Sequence, residues 1–180
     1  MRPTPADPDA WNAYLAEGNA TQARKRVAAD VIVRDPNGNV LLVKPTYKAG
    51  WDLPGGMAED NEAPDDAARR ELKEELGLDL PLRSLLVVDW VPPHGPWDDQ
   101  IAFIFDGGTL DHDRAGALSP QDEELSELAF VHPRQAGAWL RDRLSRSFDA
   151  AIAALSSGHP QFLREGEQAM PPATRSTSQR

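Results

Sequence analysis

The sequence predicts an α/β fold in which a mixed β-sheet is covered by helices. Three observations carry that expectation. Two β-rich runs, "RVAADVIVRD" and "NVLLVKP", flank the turn "PNGN" and read as an antiparallel hairpin. Residues 61–78 and 133–155 change to helical periodicity. Strand runs and helical runs alternate without repeated strand–helix–strand units, so the sheet is expected to be mixed rather than wholly parallel.

Taken in order, "DPDAWNAYLAEG" places Asp7 as an N-cap, Pro8 at the first helical position and Gly18 as a stop. This short helix is expected to pack Trp11, Tyr14 and Leu15 against the body. The hairpin follows, then an irregular stretch from Tyr47 to Gly56 in which "LPGG" forces turns. The helix over 61–78 has Pro64 and acidic residues near its start and Gly77 near its end, as capping preferences require. "LRSLLVVDWV", "DQIAFIFDGG" and "ELAFV" read as further strands, with the Pro-rich loop "PPHGPW" between the first two. The segment 133–155 reads as one helix, with Leu140, Leu144, Phe148 and Ile152 at fourfold spacing.

At 180 residues the chain accommodates one domain with extensions. The reading is an N-terminal extension over 1–24, a domain over 25–160 and a disordered tail over 161–180, whose composition is polar and Pro-containing. A net charge of −10 argues against long nucleic acid as a partner, because such binding rests on Lys and Arg neutralising many phosphates. A small anionic ligand would need a metal or a few arginines beside it. With no cysteine, disulfides, thiolate zinc sites and cysteine nucleophiles are excluded together. No apolar leader or membrane-length run is present, so a cytoplasmic location without a membrane partner is expected.

The segment "GMAEDNEAPDDAARRELKEELGL" carries eight acidic residues against three basic ones. A solvated helix face would interleave the signs. At about 100° per residue, with Glu71 at 0°, Glu74 falls near 300° and Glu75 near 40°, while Ala68, Leu72 and Leu76 lie directly beside that arc. The carboxylates therefore sit at the edge of the buried stripe. Glu71 and Glu75, like charges at i and i+4, repel unless something positive joins them. Arg70 cannot balance three carboxylates alone; a divalent cation can. Hard carboxylate oxygens with no Cys and no spaced His pair suit Mg²⁺ or Mn²⁺.

From Gly56 the spacing runs through Glu62, Arg70, Glu71, Leu72, Glu74, Glu75, Gly77 and Leu78. It resembles the signature of the Nudix hydrolases, G-x5-E-x7-R-E-U-x-E-E-x-G-U with U aliphatic, at every specified position. The preceding "WDLPGG" and the order of elements on either side are similar to the Nudix α/β/α sandwich with a mixed sheet. The resemblance implies a Mg²⁺-dependent hydrolase, with Mn²⁺ as a substitute, that cleaves a pyrophosphate bond in a nucleoside diphosphate linked to another moiety. It implies metal ligation by Glu71, Glu74, Glu75 and the carbonyl of Gly56. Catalysis falls to Glu75 or Glu74, oriented by Arg70, while Glu62 supports the loop. Glu124 in "SPQDEELSELAF" is a second candidate for the base, or an extra metal ligand.

Substrate contacts lie outside this signature, the Nudix box, which spans residues 56–78. Arg34, Lys44 and Lys48, on or after the hairpin strands, are candidates for phosphates; Trp97, in the loop with Trp90, Pro92, Pro93 and His94, is a candidate for a base. The four histidines show no ligand spacing. A nucleoside triphosphate pyrophosphatase is the alternative reading, and a nucleotide-sensing module without catalysis is the alternative of another class. The partner is a small nucleotide; a homodimer, common among relatives, is a further implication.

Overall fold

The computed structural model describes residues 2–169 and consists of one eight-stranded sheet with helices on both faces. Helix α1 (Pro8–Thr21) precedes β1 (Arg26–Arg34), β2 (Val40–Pro45), β3 (Gly55–Met57) and α2 (Pro64–Leu76). Then come β4 (Leu85–Val91), β5 (Gln100–Thr109), α3 (His112–Ala117), β6 (Leu125–Val131) and the single turn α4 (Pro133–Ala136). Helix α5 (Asp142–Ser157) leads into β7 (Gln161–Arg164) and β8 (Glu167–Gln168). The strand order is β6-β2-β1-β5-β4-β7-β8, with β3 attached to β1. β1 is parallel to β5 and β4 to β7, and the other pairs are antiparallel, so the sheet is mixed as expected.

Strand alternation divides the core into two layers. Val31, Val33, Leu41 and Val43 meet Ala68, Leu72 and Leu76 of α2. Ile32, Val40 and Leu42 face the other way, against Leu144, Phe148 and Ala151 of α5. The result is an α/β/α sandwich.

The turn between β1 and β2 forms as expected. The Asp35 carboxylate accepts from the backbone N–H groups of Asn37 and Asn39, each at 2.8 Å, and Gly38 takes φ +82°. The strands themselves pair only at Arg34 and Val40, then diverge. The segment after β2 fills the wedge between them. Asp52 exchanges backbone hydrogen bonds with Val43 at 2.9 and 2.8 Å, Val31 donates to the Pro54 carbonyl at 2.9 Å, and β3 pairs with Ala28–Asp30. Gly55, at φ +137°, lies so close to β1 that a Cβ there would come within 2.7 Å of Asp30 Cα. No L side chain fits, which accounts for the glycine. Hydrophobic runs report which residues are strand; they do not report that an insertion will prise two strands apart.

Three further expectations are corrected. α1 runs through Gly18 to Thr21 and buries none of its residues; Trp11 and Tyr14 stack on each other at 5.8 Å instead of packing on the body. The helix expected over 133–155 is broken between α4 and α5, because Trp51 bridges to Leu140 as in a sheet, and Leu140 keeps its place in the core from outside the helix. Residues 161–168, assigned to the tail, form the β7–β8 hairpin. Backbone pairing with β4 and burial of Leu163 hold it there, signals too sparse to stand out in a polar stretch. The remainder of that tail, 170–180, lies outside the described residues.

Candidate active site

α2 presents its carboxylates across the boundary between core and solvent. Ala68, Leu72 and Leu76 are buried, Glu75 is buried beside them, Glu71 is half-buried and Glu74 is exposed. The arc expected from the spacing is therefore realised. Pro64 opens the helix and Gly77 ends it in the left-handed region at φ +65°, with Gly77 N–H donating to the Lys73 carbonyl at 3.0 Å and Leu78 N–H to Leu72 at 3.1 Å.

The wedge segment brings its glycines against these carboxylates. Gly55 N–H donates to Glu75 Oε2 at 3.1 Å. A Cβ on Gly56 would meet Glu71 Oε1 at 2.5 Å, so the Gly56 backbone is pressed directly on that carboxylate. Burial pushes the Glu75 carboxyl up to about 8, against the hydrogen bond from Gly55, and the charges of Glu71, Asp122 and Asp30 push the same way as burial. Burial also raises Glu71, opposed by Arg70 and reinforced by Glu74 and Glu124. Like charges thus crowd one place, the condition a cation relieves.

Arg70 crosses the group. Its Nη1 donates to Glu71 at 3.0 Å and to Glu74 at 2.9 Å, and its Nη2 to the Met57 carbonyl at 3.1 Å. Its Nε and Nη2 hold Glu62, whose other contact is the Glu59 N–H at 2.8 Å. Glu62 is therefore a loop support, as expected. Among the described residues, no three carboxylates or imidazoles converge tightly enough to enclose a cation by themselves. The donors nevertheless fit one: all are hard oxygens, Gly56 and Glu71 are in contact, and a guanidinium already bridges Glu71 and Glu74.

Glu124 lies in the loop before β6, near enough for its charge to act on Glu71. That loop is tied down by Thr46 N–H to the Glu124 carbonyl at 2.8 Å and by Gln121 N–H to the Glu75 carbonyl at 2.8 Å.

The expected phosphate and base contacts do not gather here. Arg34 sits at the far end of β1, paired with Asp106 at 2.8 Å; four residues beyond Asp30 along a strand is about 13 Å. Lys44 pairs with Glu127 on β6 and lies 5.8 Å from the Trp51 ring centre. Trp97 is covered on one face by Arg26, at 4.5 Å. None of the three contacts the carboxylates of α2.

What does adjoin the box is a cluster of polar side chains on the α5 side of the sheet, of which sequence reasoning named only Lys48. Asp30 of β1 is partly buried opposite Gly55, with its carboxyl raised to about 8 by burial and by Asp52, while Arg143 and Lys48 act in the opposite direction. Asp52 pairs with Lys48 and with Arg141. Trp51, next to Asp52 in the chain, forms a tilted pair with Trp139 at 5.0 Å. The available signal was an acid at an inward position of an apolar strand, in "VAADVIV".

Comparison with known proteins decides the family. The NUDIX domain pattern matches residues 24–153. The chain belongs to the Nudix family. An ADP-ribose pyrophosphatase of Methanocaldococcus jannaschii is 37% identical over 120 residues, 60% of this chain and 69% of that protein. An 8-oxo-dGTP diphosphatase of Proteus vulgaris is 42% identical over 64 residues, 33% of this chain and 56% of that protein. Matches thus span between about half and two thirds of these relatives' lengths. The crystal structure of a MutT protein from Methanosarcina mazei superposes with a TM-score of 0.63 at 20% identity, over 74% of this chain and 99% of that one. That likeness establishes the Nudix fold seen here. Among the described residues, no helix is long and apolar enough to cross a membrane.

Proposed function

We propose that this Nudix protein hydrolyses the pyrophosphate bond of a nucleoside diphosphate joined to a second moiety, such as ADP-ribose or a nucleotide sugar, with Mg²⁺ bound and Mn²⁺ able to replace it. The observation that carries the reading is the meeting of the Gly56 backbone, Glu71 and Glu75 at one end of α2, with Arg70 spanning Glu71 and Glu74. An anhydride of phosphates is guarded kinetically by its own negative charge, so its cleavage needs charge neutralisation and an activated water. A divalent cation held by Glu71, Glu74, Glu75 and the Gly56 carbonyl supplies both.

The chain's own groups then have distinct tasks. Glu75, with its Oε2 aimed by Gly55 N–H, accepts the proton of the attacking water. Arg70 fixes Glu71 and Glu74 at the carboxylate edge. Glu124, tied to the same site by its loop, is the alternative base.

The choice of a diphosphate-linked substrate is supported by the 120-residue match to an ADP-ribose pyrophosphatase, which extends well beyond the length of the box. The alternative, a nucleoside triphosphate pyrophosphatase, is supported by the higher identity of the shorter match to an 8-oxo-dGTP diphosphatase. A sensing module without catalysis is disfavoured by the full set of box glutamates. A homodimer belongs to the reading, with the exposed side of α1 as its candidate contact, and sedimentation tests it. The substrate test is phosphate release from ADP-ribose, nucleotide sugars, dNTPs and 8-oxo-dGTP with and without Mg²⁺. Cleavage of ADP-ribose or a nucleotide sugar supports the reading; cleavage confined to triphosphates favours the alternative; no cation-dependent cleavage of any of them sinks both.

A further inference from the structure

The β7–β8 hairpin lies beyond residues 24–153, the part of the chain that matches the family. Its two-residue turn, Glu165–Gly166, has φ of +59° and +79°, and glutamate is an uncommon occupant of that region. The turn is pinned from three sides. Glu165 N–H donates to the Trp90 carbonyl at 2.9 Å, Arg146 Nη2 donates to the Glu165 carbonyl at 2.8 Å, and Gly166 N–H donates to Asp89 Oδ1 at 3.1 Å.

Asp89 is 1% exposed, in the middle of β4. Its other oxygen accepts from Ser147 Oγ at 2.9 Å and from Arg143 Nη1 at 3.3 Å. Burying a carboxylate there is costly, and an apolar residue would join sheet to helix without that cost. What the charge adds is a fixed direction for Arg143. Gly166 reinforces it, since a Cβ there would lie 3.1 Å from the Arg143 carbonyl and 3.0 Å from Arg146 Cβ.

Arg143 spends one N–H group on Asp89, and its others take no partner among the described residues. It is close enough to Asp30 to act on that carboxyl, and Asp30 lies directly across from Gly55 of the box loop. Ala102 and Ala28, both small, stand beside Asp89 on the same row of the sheet. Trp51, the chain neighbour of Asp52, pairs with Trp139, which is 42% exposed. Guanidinium donors, a carboxyl and an indole face on this side of the sheet match a flat ring that carries both donors and acceptors on its edge.

We propose that Arg143 is a specificity-determining residue that contacts the nucleobase of the substrate, and that the β7–β8 hairpin positions it through Asp89. This rests on the nucleotide reading above. It is tested by calorimetric binding of AMP, GMP and UMP with chelator present, together with kcat and KM for ADP-ribose, GDP-mannose and UDP-glucose with Mg²⁺. The variants are Arg143→Met, Arg143→Lys, Asp89→Asn and Gly166→Val, each checked for folding by thermal melting. For the preferred base, Arg143→Met weakens binding and raises KM about ten-fold or more, the loss of one charge-assisted hydrogen bond, while kcat stays within about two-fold. Asp89→Asn and Gly166→Val shift KM in the same direction by less, and add nothing to Arg143→Met. Unchanged binding and KM in Arg143→Met overturn the proposal, as does an equal loss for all three bases. If wild type binds a monophosphate but cleaves nothing, the hydrolase reading fails and the binding data still decide this one. If wild type neither binds nor cleaves, both fail.

Discussion

Arg70 grips Glu62 with two hydrogen bonds, Nε to Oε1 at 2.9 Å and Nη2 to Oε2 at 3.0 Å. The same guanidinium reaches Glu71, Glu74 and the Met57 carbonyl, so one side chain ties the start of the box loop to the carboxylates of α2. A lysine ammonium cannot span those directions. Arg70→Lys is expected to lower turnover about a hundred-fold, the usual effect of losing a partner that orients metal ligands. Steady-state kinetics beside a thermal melt check this; a loss of folding equal to the loss of activity would count against an orienting role.

Gly56→Ala tests the contact with Glu71. The added methyl would lie 2.5 Å from Glu71 Oε1 and 2.6 Å from its Cδ, so the carboxylate must move. A displacement of that order is expected to cut turnover about a hundred-fold and to raise the Mg²⁺ concentration needed for half-maximal rate. A Mg²⁺ titration of the rate gives the answer.

Asp30 makes stability depend on pH. Its folded-state pKa, about 8, lies above the ordinary 3.8, because of burial first and Asp52 second. The folded state therefore holds the proton more tightly than the unfolded state, and stability falls as pH rises from about 4 to about 8. Asparagine is uncharged throughout. Asp30→Asn is expected to match wild type near pH 4 and to exceed it above pH 8 by on the order of 1 to 3 kcal/mol. Urea unfolding at both pH values measures the gap; a gap independent of pH would refute the assignment.

Asp35 works in the opposite sense. Burial pushes its carboxyl up, but hydrogen bonds from Asn39 and Asn37 outweigh it and hold the group below its ordinary value. Its contribution is present above the unfolded-state pKa of 3.8 and is lost as pH falls through the lower folded-state value. Asp35→Ala is expected to cost about 1 to 2 kcal/mol at pH 7. That deficit should shrink in acid, as read by melting temperatures at pH 7 and pH 3.

Much of the site was legible in the sequence because the spacing of Glu71, Glu74, Glu75, Leu72 and Leu76 is local, and a single helix converts it directly into a face. Gly55 and Gly56 were legible as turn formers. Their close approaches to β1 and to Glu71 were not, since these exist only in the folded chain. Arg34 looked like a phosphate contact because it is basic and near the hairpin; its distance from the box follows from where β1 lies in the sheet. Arg143 and Asp89 passed unnoticed because they meet across 54 residues of sequence through β4 and α5. The β7–β8 hairpin was hidden for a related reason: its strands are short, polar and held by backbone bonds to β4.

The most direct measurement of the central claim is kcat of Glu75→Gln with saturating Mg²⁺ on the nucleotide that wild type cleaves best. The substitution keeps shape and removes the proton acceptor, so the rate should fall about a thousand-fold with little change in melting temperature. A rate close to wild type would contradict the account of Glu75 and of the site built around it.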